Sequence, residues 1–177
     1  MAKPKLLVKY MLMNKSKDIK FLSRAKTYLD FKLTVGVEIL PAKYLIENQK
    51  VMVQFWDLGL QERFSKIRPN FYKSAHGAVI LSSISNETEF SYIEYLIKEI
   101  IHNVNIPILI FDTGDSSQFL DKLIVDGATI SKFRIGKETQ GLIKGEIKKS
   151  IKKMLLNLKA LNPDSNFMDY EFLNDDF

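Results

Sequence analysis

Cysteine is absent from the 177-residue chain, and its 8 glycines include none before Gly36. Without thiols there is no disulfide framework, no thiolate metal site, no catalytic cysteine and nothing to carry a prenyl or palmitoyl group. Ala2 stands where a myristoylated chain needs glycine, so no lipid anchor is expected. Scarce glycine also argues against a dinucleotide-binding turn. Apolar runs such as Ile108 to Phe111 are far shorter than the roughly 20 residues of a membrane span, and the first residues lack an apolar signal core. The expectation is a cytoplasmic protein with no transmembrane segment. His76 and His102 are the only histidines, neither with partners at metal-ligand spacing, and no Ser/His/Asp set or carboxylate pair stands out. Hydrolase chemistry of those kinds is therefore unsupported.

What is present suits a single soluble core: 46% of residues are hydrophobic and 27% charged. The net charge of +5 is unevenly placed. Residues 1 to 50 carry eleven Lys+Arg against four Asp+Glu, whereas residues 160 to 177 carry five acids and no base. The lysines are spread over several elements without a recognition stripe, so no DNA or RNA partner is expected.

Periodicity divides the chain into alternating strands and helices, with no linker or internal repeat. The spacing predicts strands at Leu6 to Leu12, Val37 to Glu47 and Val51 to Trp56, the last two forming a hairpin across Glu47 to Lys50. A helix is predicted over Lys17 to Leu29. Ala78 to Ser83 is a short apolar strand, followed by a helix whose Ile93, Leu96, Ile97, Ile100, Ile101 and Val104 form one stripe. Ile106 to Phe111 is apolar throughout, as a central strand covered on both faces should be. A short helix at Phe119 to Val125, a strand at Thr129 to Arg134 and a long final helix carrying Ile143, Ile147, Ile151, Met154, Leu155 and Leu158 complete the series. Pro163 stops that helix. The organisation expected is one α/β domain over residues 1–161 and an acidic aromatic tail over 162–177. Strand-helix alternation implies a mostly parallel sheet wound on both faces, whose ligands bind at the strand ends.

Three segments carry a specific resemblance. Phe55-Trp56-Asp57-Leu58-Gly59-Leu60-Gln61-Glu62-Arg63-Phe64 resembles the WDTAGQERF segment of Rab-type small GTPases. Phe71-Tyr72-Lys73-Ser74-Ala75-His76-Gly77 is similar to the YYRGAHG segment of that family, and Thr34-Val35-Gly36-Val37-Glu38 to its TIGVD switch segment. The resemblance covers about residues 5 to 158. It implies the three-layer P-loop fold of small GTPases, with a six-stranded, mostly parallel sheet, one antiparallel strand and helices on both faces.

The residues that perform the chemistry in that family are altered here. A GxxxxGK[ST] cradle turns successive backbone N–H groups onto phosphate, which requires glycine, and a lysine meets the charge. The loop after the first strand reads Met13-Asn14-Lys15-Ser16-Lys17-Asp18, with Lys17 or Asp18 near the place of the family lysine. Lys15 and Ser16 offer a substitute lysine-hydroxyl pair, against which stands the plain reading of a solvated, lysine-rich loop that also includes Lys9 and Lys20. Thr34 matches the switch threonine, Asp57 the aspartate that holds Mg²⁺ through water, and Gln61 the glutamine that orients the attacking water. Leu60 replaces the glycine whose N–H meets the γ-phosphate. Phe111-Asp112-Thr113-Gly114-Asp115 takes the place of GNKxD, and Ile135-Gly136-Lys137 that of SAK. Lys15, Ser16, Thr34, Asp57, Asp112 and Asp115 are thus vestigial nucleotide-binding candidates, and no catalytic residue is assigned. Asp57 and Asp115 have simpler readings as a carboxylate satisfied by Lys15 or Lys17 and as a helix or turn cap.

Carried over position by position, the hydrophobic patch that Rab effectors read becomes Ile39, Trp56 and Phe71, with Phe64 and Tyr72 nearby. Core packing is the competing reading for these aromatics. The tail interleaves Phe167, Tyr170, Phe172 and Phe177 with its acids, which suits docking on the basic surface, a short linear motif or a disordered end. The expectation is a pseudo-GTPase that binds a protein partner through its switch-like surface, with no cofactor. The alternative is an unorthodox GTPase, a GTP hydrolase that binds GTP or GDP with Mg²⁺ weakly or with partner help.

Overall fold

The computed structural model describes residues 7–15, 36–46, 49–114, 117–136 and 140–161. The helix expected at Lys17 to Leu29, the candidates Ser16, Thr34 and Asp115, and the tail lie outside the described residues. Six strands form one sheet in the order β2-β3-β1-β4-β5-β6. They are β1 (Leu7–Asn14), β2 (Val37–Ile46), β3 (Gln49–Leu58), β4 (Gly77–Ser82), β5 (Ile108–Asp112) and β6 (Ile130–Arg134). Only the β2–β3 pair is antiparallel, its register running from Val37 opposite Leu58 to Ile46 opposite Gln49. The other four pairs are parallel. Three α-helices are described: α1 (Glu87–Asn103), α2 (Ser117–Lys122) and α3 (Gln140–Leu161). Two 3-10 turns, Glu62–Phe64 and Arg68–Phe71, follow β3.

Alternation of side chains along each strand sorts the core into two halves. On β1, Tyr10 and Leu12 belong to one cluster and Met11 and Met13 to the other. The first half packs Val51, Val53 and Phe55 of β3 against Ile143, Ile147 and Ile151 of α3. The second packs Ala78, Ile80, Ile108 and Ile110 against Ile93, Leu96, Ile97 and Ile100 of α1. All residues of β4 and β5 are buried, as strands covered on both sides must be. The exposed lysines Lys144, Lys148, Lys149, Lys152 and Lys153 occupy the outer face of α3. β2 is an edge strand: Leu40, Ala42, Tyr44 and Ile46 turn inward, and Pro41 sits at its middle opposite Gln54. Proline is tolerated there because its missing N–H belongs to the side of the strand that has no partner strand among the described residues.

β3 is longer at both ends than its apolar core suggested, because pairing with β2 extends the ladder through Asp57 and Leu58. Val104, read as the end of the apolar stripe, is extended and caps α1, its N–H bonded to the Ile100 carbonyl. At the other end Asn86 accepts from the Glu89 N–H, while Glu89 accepts from the Ser85 N–H and hydroxyl, a reciprocal cap that fixes where α1 begins.

Gly114 lies so close to the loop after β4 that an added Cβ would stand 2.0 Å from the Ile84 carbonyl oxygen. Gly114→Ala therefore forces two backbones apart and should cost about 2 kcal/mol or more, the scale of overpacking strain. Gly136, with nothing within 4 Å of its virtual Cβ, serves as the control. Comparing urea midpoints of the two alanine variants checks the prediction, which requires that only Gly114→Ala lowers the midpoint.

Candidate functional site

The C-terminal ends of the parallel strands converge on one rim, where Lys15 follows β1, Asp57 is the penultimate residue of β3, and Ser82 and Asp112 end β4 and β5. Two features fill this rim. A cleft of about 260 Å³ is lined by Lys15, Ser82, Ser83, Ile84, Ser85, Glu89 and Ile93, between the exit of β1 and the start of α1. An apolar groove of about 230 Å³ runs between β2 and the segment after β3, lined by Gly36, Val37, Leu58, Gly59, Phe64, Ile67, Arg68 and Phe71.

At the β1 exit, the Lys15 N–H continues the ladder by donating to the Leu81 carbonyl at 2.8 Å. Its ammonium sits 4.7 Å from the centre of the Tyr92 ring on α1. Glu89 lies in the same cleft, its pKa lowered by the hydrogen bonds from Ser85 and, to a lesser degree, by Lys15.

Asp112 is fully buried. Its carboxylate accepts from the Ser82 hydroxyl at 2.7 Å, the Ile84 N–H at 2.8 Å and the Gly114 N–H at 3.1 Å. The side chain thus ties the loops after β4 and β5 together instead of facing an open site. Asp57 is half-buried at the end of β3, in register with Glu38 and Leu12. Gln61 is half-buried, and its amide oxygen is buried with no hydrogen-bond partner among the described residues. No group of histidine and acidic side chains that could hold a metal occurs among the described residues.

The expected surface divides. Ile39 is 45% exposed and pairs across the strands with Trp56. The Trp56 ring lies 6.2 Å from that of Phe71, so these three form one continuous, partly open apolar face. Phe64 lines the neighbouring groove. Lys9 supports the face from beneath: its ammonium is 4.0 Å from the Trp56 ring centre and donates to the carbonyls of Phe71 and Lys73 at 2.6 and 3.0 Å. Desolvation lowers the pKa of this lysine.

Tyr72 does not join the surface. It is 1% exposed and donates its hydroxyl to the Glu99 carboxylate of α1. The reason is Arg68, a residue the sequence reading passed over. Arg68 is buried and meets Glu99 with two bonds, Nε to Oε1 at 2.8 Å and Nη2 to Oε2 at 2.7 Å. Tyr95 adds a third donor residue at 2.8 Å. Burial alone would raise the Glu99 pKa, but the bonds from Arg68, Tyr72 and Tyr95 outweigh it and hold the carboxylate below its usual range. Burial of the Tyr72 phenol, reinforced by Glu99, raises its pKa strongly. An arginine two residues after Lys66 looks like any surface base in a sequence. Only its helix-facing position within a 3-10 turn distinguishes it.

Asp112→Ala leaves the Ser82 hydroxyl and two backbone N–H groups without their acceptor. Hydrogen bonds to a charged group contribute about 1.5 to 3 kcal/mol each, so a loss of roughly 3 kcal/mol or more is expected in denaturant unfolding. His76 accepts from the Lys9 N–H through Nδ1, which must then be unprotonated. Burial, with a smaller effect of the Lys9 charge, lowers its pKa below the ordinary 6.5. The folded state accordingly binds fewer protons than the unfolded one. The resulting stability is fully present above pH 6.5 and is lost as the pH falls through the lowered folded value. In His76→Asn the difference between urea midpoints at neutral and mildly acid pH should shrink.

The Ras family model matches residues 15–131 of the chain. The Ras-related protein RABA4a of Arabidopsis thaliana is 27% identical over 128 residues, covering 72% of this chain and 55% of that protein. The Ras-related protein Rab11C of Nicotiana tabacum is 28% identical over 111 residues, 63% of this chain and 50% of the relative. GTP-binding protein ypt1 of Schizosaccharomyces pombe is 28% identical over 104 residues, 56% and 49% respectively. The chain spans about half the length of these curated relatives. With six strands in this order, a single antiparallel pair and a family match over more than half its length, the chain belongs to the Ras family and is a small GTPase-like protein.

Proposed function

We propose that this small GTPase-like chain is a pseudo-GTPase that acts as a protein-interaction or scaffold subunit through the face of Ile39, Trp56, Phe64 and Phe71. The observation that carries the reading is the fate of Lys15. Where a phosphate cradle would begin, its backbone N–H is spent on the Leu81 carbonyl and its ammonium rests on Tyr92. The sequence supports this, since no glycine precedes Gly36 to turn amides onto a phosphate. Asp112 supports it too, because a carboxylate satisfied by three internal donors has no call on a guanine base. These features oppose a fit between the described residues and GTP with Mg²⁺. On this reading a loop without glycine forgoes several charge-assisted bonds of about 1.5 to 3 kcal/mol each, and every 1.4 kcal/mol is about tenfold in affinity.

The surface, in contrast, has the makings of an anchor site. Aromatic side chains beside an apolar groove supply the desolvated contacts on which protein interfaces depend. The partner of this reading is a protein that inserts apolar side chains between β2 and the segment after β3. The absence of any described helix long and apolar enough to cross a membrane is compatible with a partner met in the aqueous phase.

One observation favours a second reading, that of an unorthodox GTPase completed by a partner: the orphaned amide oxygen of Gln61, at the position that orients water in the family. The two readings separate in a direct measurement. Denaturing the purified chain and chromatographing the supernatant should release far less than one guanine nucleotide per chain. Calorimetric titration with GTP and Mg²⁺ should show no binding tighter than about 1 mM. Stoichiometric release, or micromolar binding, overturns the pseudo-GTPase reading in favour of the second.

A further inference from the structure

We propose that Glu99 acts as a clamp that holds residues 59–72 in one conformation on α1, so that the Trp56–Phe71 face stays assembled without a nucleotide signal. The importance of that face rests on the reading above; the clamp itself rests on geometry alone. In the family the start of this segment meets the γ-phosphate, a contact that could set its conformation only when nucleotide is bound. Here groups of the protein hold it at its start, middle and end.

The first residues of the segment are fixed at two carbonyls. Gly59 accepts from Arg68 Nη1 at 3.4 Å, and Leu60 from the Tyr92 hydroxyl of α1 at 2.9 Å. The Gly59 N–H also donates to the Gly36 carbonyl at 2.8 Å, joining the segment to the start of β2. The middle is fixed at Arg68, whose planar guanidinium meets both oxygens of Glu99 and therefore fixes orientation as well as distance. The end is fixed at Tyr72 by its hydroxyl on the same carboxylate and at Phe71 by the Lys9 ammonium beneath. Glu99 itself is rigidly held, since its helix neighbours Leu96, Ile97 and Ile100 are core residues. Tyr95 and the Asn103 amide, which donates to the Glu99 carbonyl, brace it on the outer side.

The groups divide the work unequally. Arg68 and Glu99 side chains are only 2% and 8% exposed, so removing either one leaves a buried charge without its partner. Loss of the clamp should therefore free the whole segment rather than loosen one contact. Glu99 and Arg68 are positioning residues, which act on the face through Phe71 and Gly59.

Amide hydrogen exchange on the full chain tests the clamp. In the wild type, the bonded amides of Phe64, Ser65, Ile67, Asn70 and Tyr72 should be protected, and millimolar GTP or GDP with Mg²⁺ should leave their rates unchanged. In Glu99→Gln and in Arg68→Met these amides should exchange at least about tenfold faster, while those of Ile97 and Ile100 keep their rates. The emission of Trp56, the only tryptophan, should shift to the red in both variants. The double variant should exchange no faster than either single one, because the two side chains form one unit. If neither variant folds, Tyr95→Phe removes a single exposed bond and should accelerate the same amides by about threefold.

Unprotected amides in the wild type, a tenfold gain of protection on adding GTP, or variants without effect would each overturn the clamp. The interaction reading is tested apart from it: if immobilised Ile39→Asp retains every protein that the wild-type chain retains, that reading fails. The clamp is untouched by this outcome, since none of its bonds passes through Ile39.

Discussion

A carboxylate removed from water must be given donors, and in this chain Glu99 imposes that requirement on everything around it. It receives a guanidinium and two phenols, and three of the four residues involved, Arg68, Tyr72 and Glu99 itself, leave little of their polar surface to solvent. The path of the chain after β3 follows from this demand. Two short 3-10 turns are needed to bring Arg68 and Tyr72 to the same helix, and the geometry of those turns leaves Phe64 and Phe71 on the side facing β2. A buried ion pair is a poor source of net stability, because desolvation offsets most of the attraction. Its value lies in admitting few alternative arrangements of the residues that supply it.

The same logic operates on the other side of the rim. Asp112 and Gly114 lie two residues apart at the end of β5, one supplying acceptors to the loop after β4 and the other allowing that loop to approach. In the family this place belongs to base recognition. Here the two residues form a strut between neighbouring loops. Lys15 shows the corresponding change at β1, where the strand ladder runs on through the residue that would otherwise begin a turn.

The architecture was legible because it is written in periodicities. The two-residue period of β3, the stripe of α1 and the continuous apolar run of β5 each correspond to a burial pattern in the folded chain. Strand ends were less legible, since β3 extends by pairing with β2, a long-range event that no local pattern records. Of the surface, Ile39, Trp56 and Phe71 do meet, and Trp56 lies on the other face of β3 from Phe55, as a two-residue period requires. Tyr72 was misplaced for a definite reason. An aromatic with a hydroxyl suits both an interface and a buried hydrogen bond, and what decides between them is an acid 27 residues away on another element. Arg68 and Glu99 gave no signal at all, because pairing across 31 residues is invisible to any window of local sequence.

β2 carries one more consequence, in the placement of Pro41 halfway along the sheet's outer edge. Among the described residues no strand covers its outer side, and an uncovered strand of this length is a template on which a second chain could zip up from end to end. The pyrrolidine ring deletes a donor from the middle of the outward row and sets a bulky obstacle there, so that an incoming strand finds only two short, separated stretches to pair with. The protein can therefore keep a greasy, open flank beside β2 while withholding the continuous backbone ladder from which fibres grow.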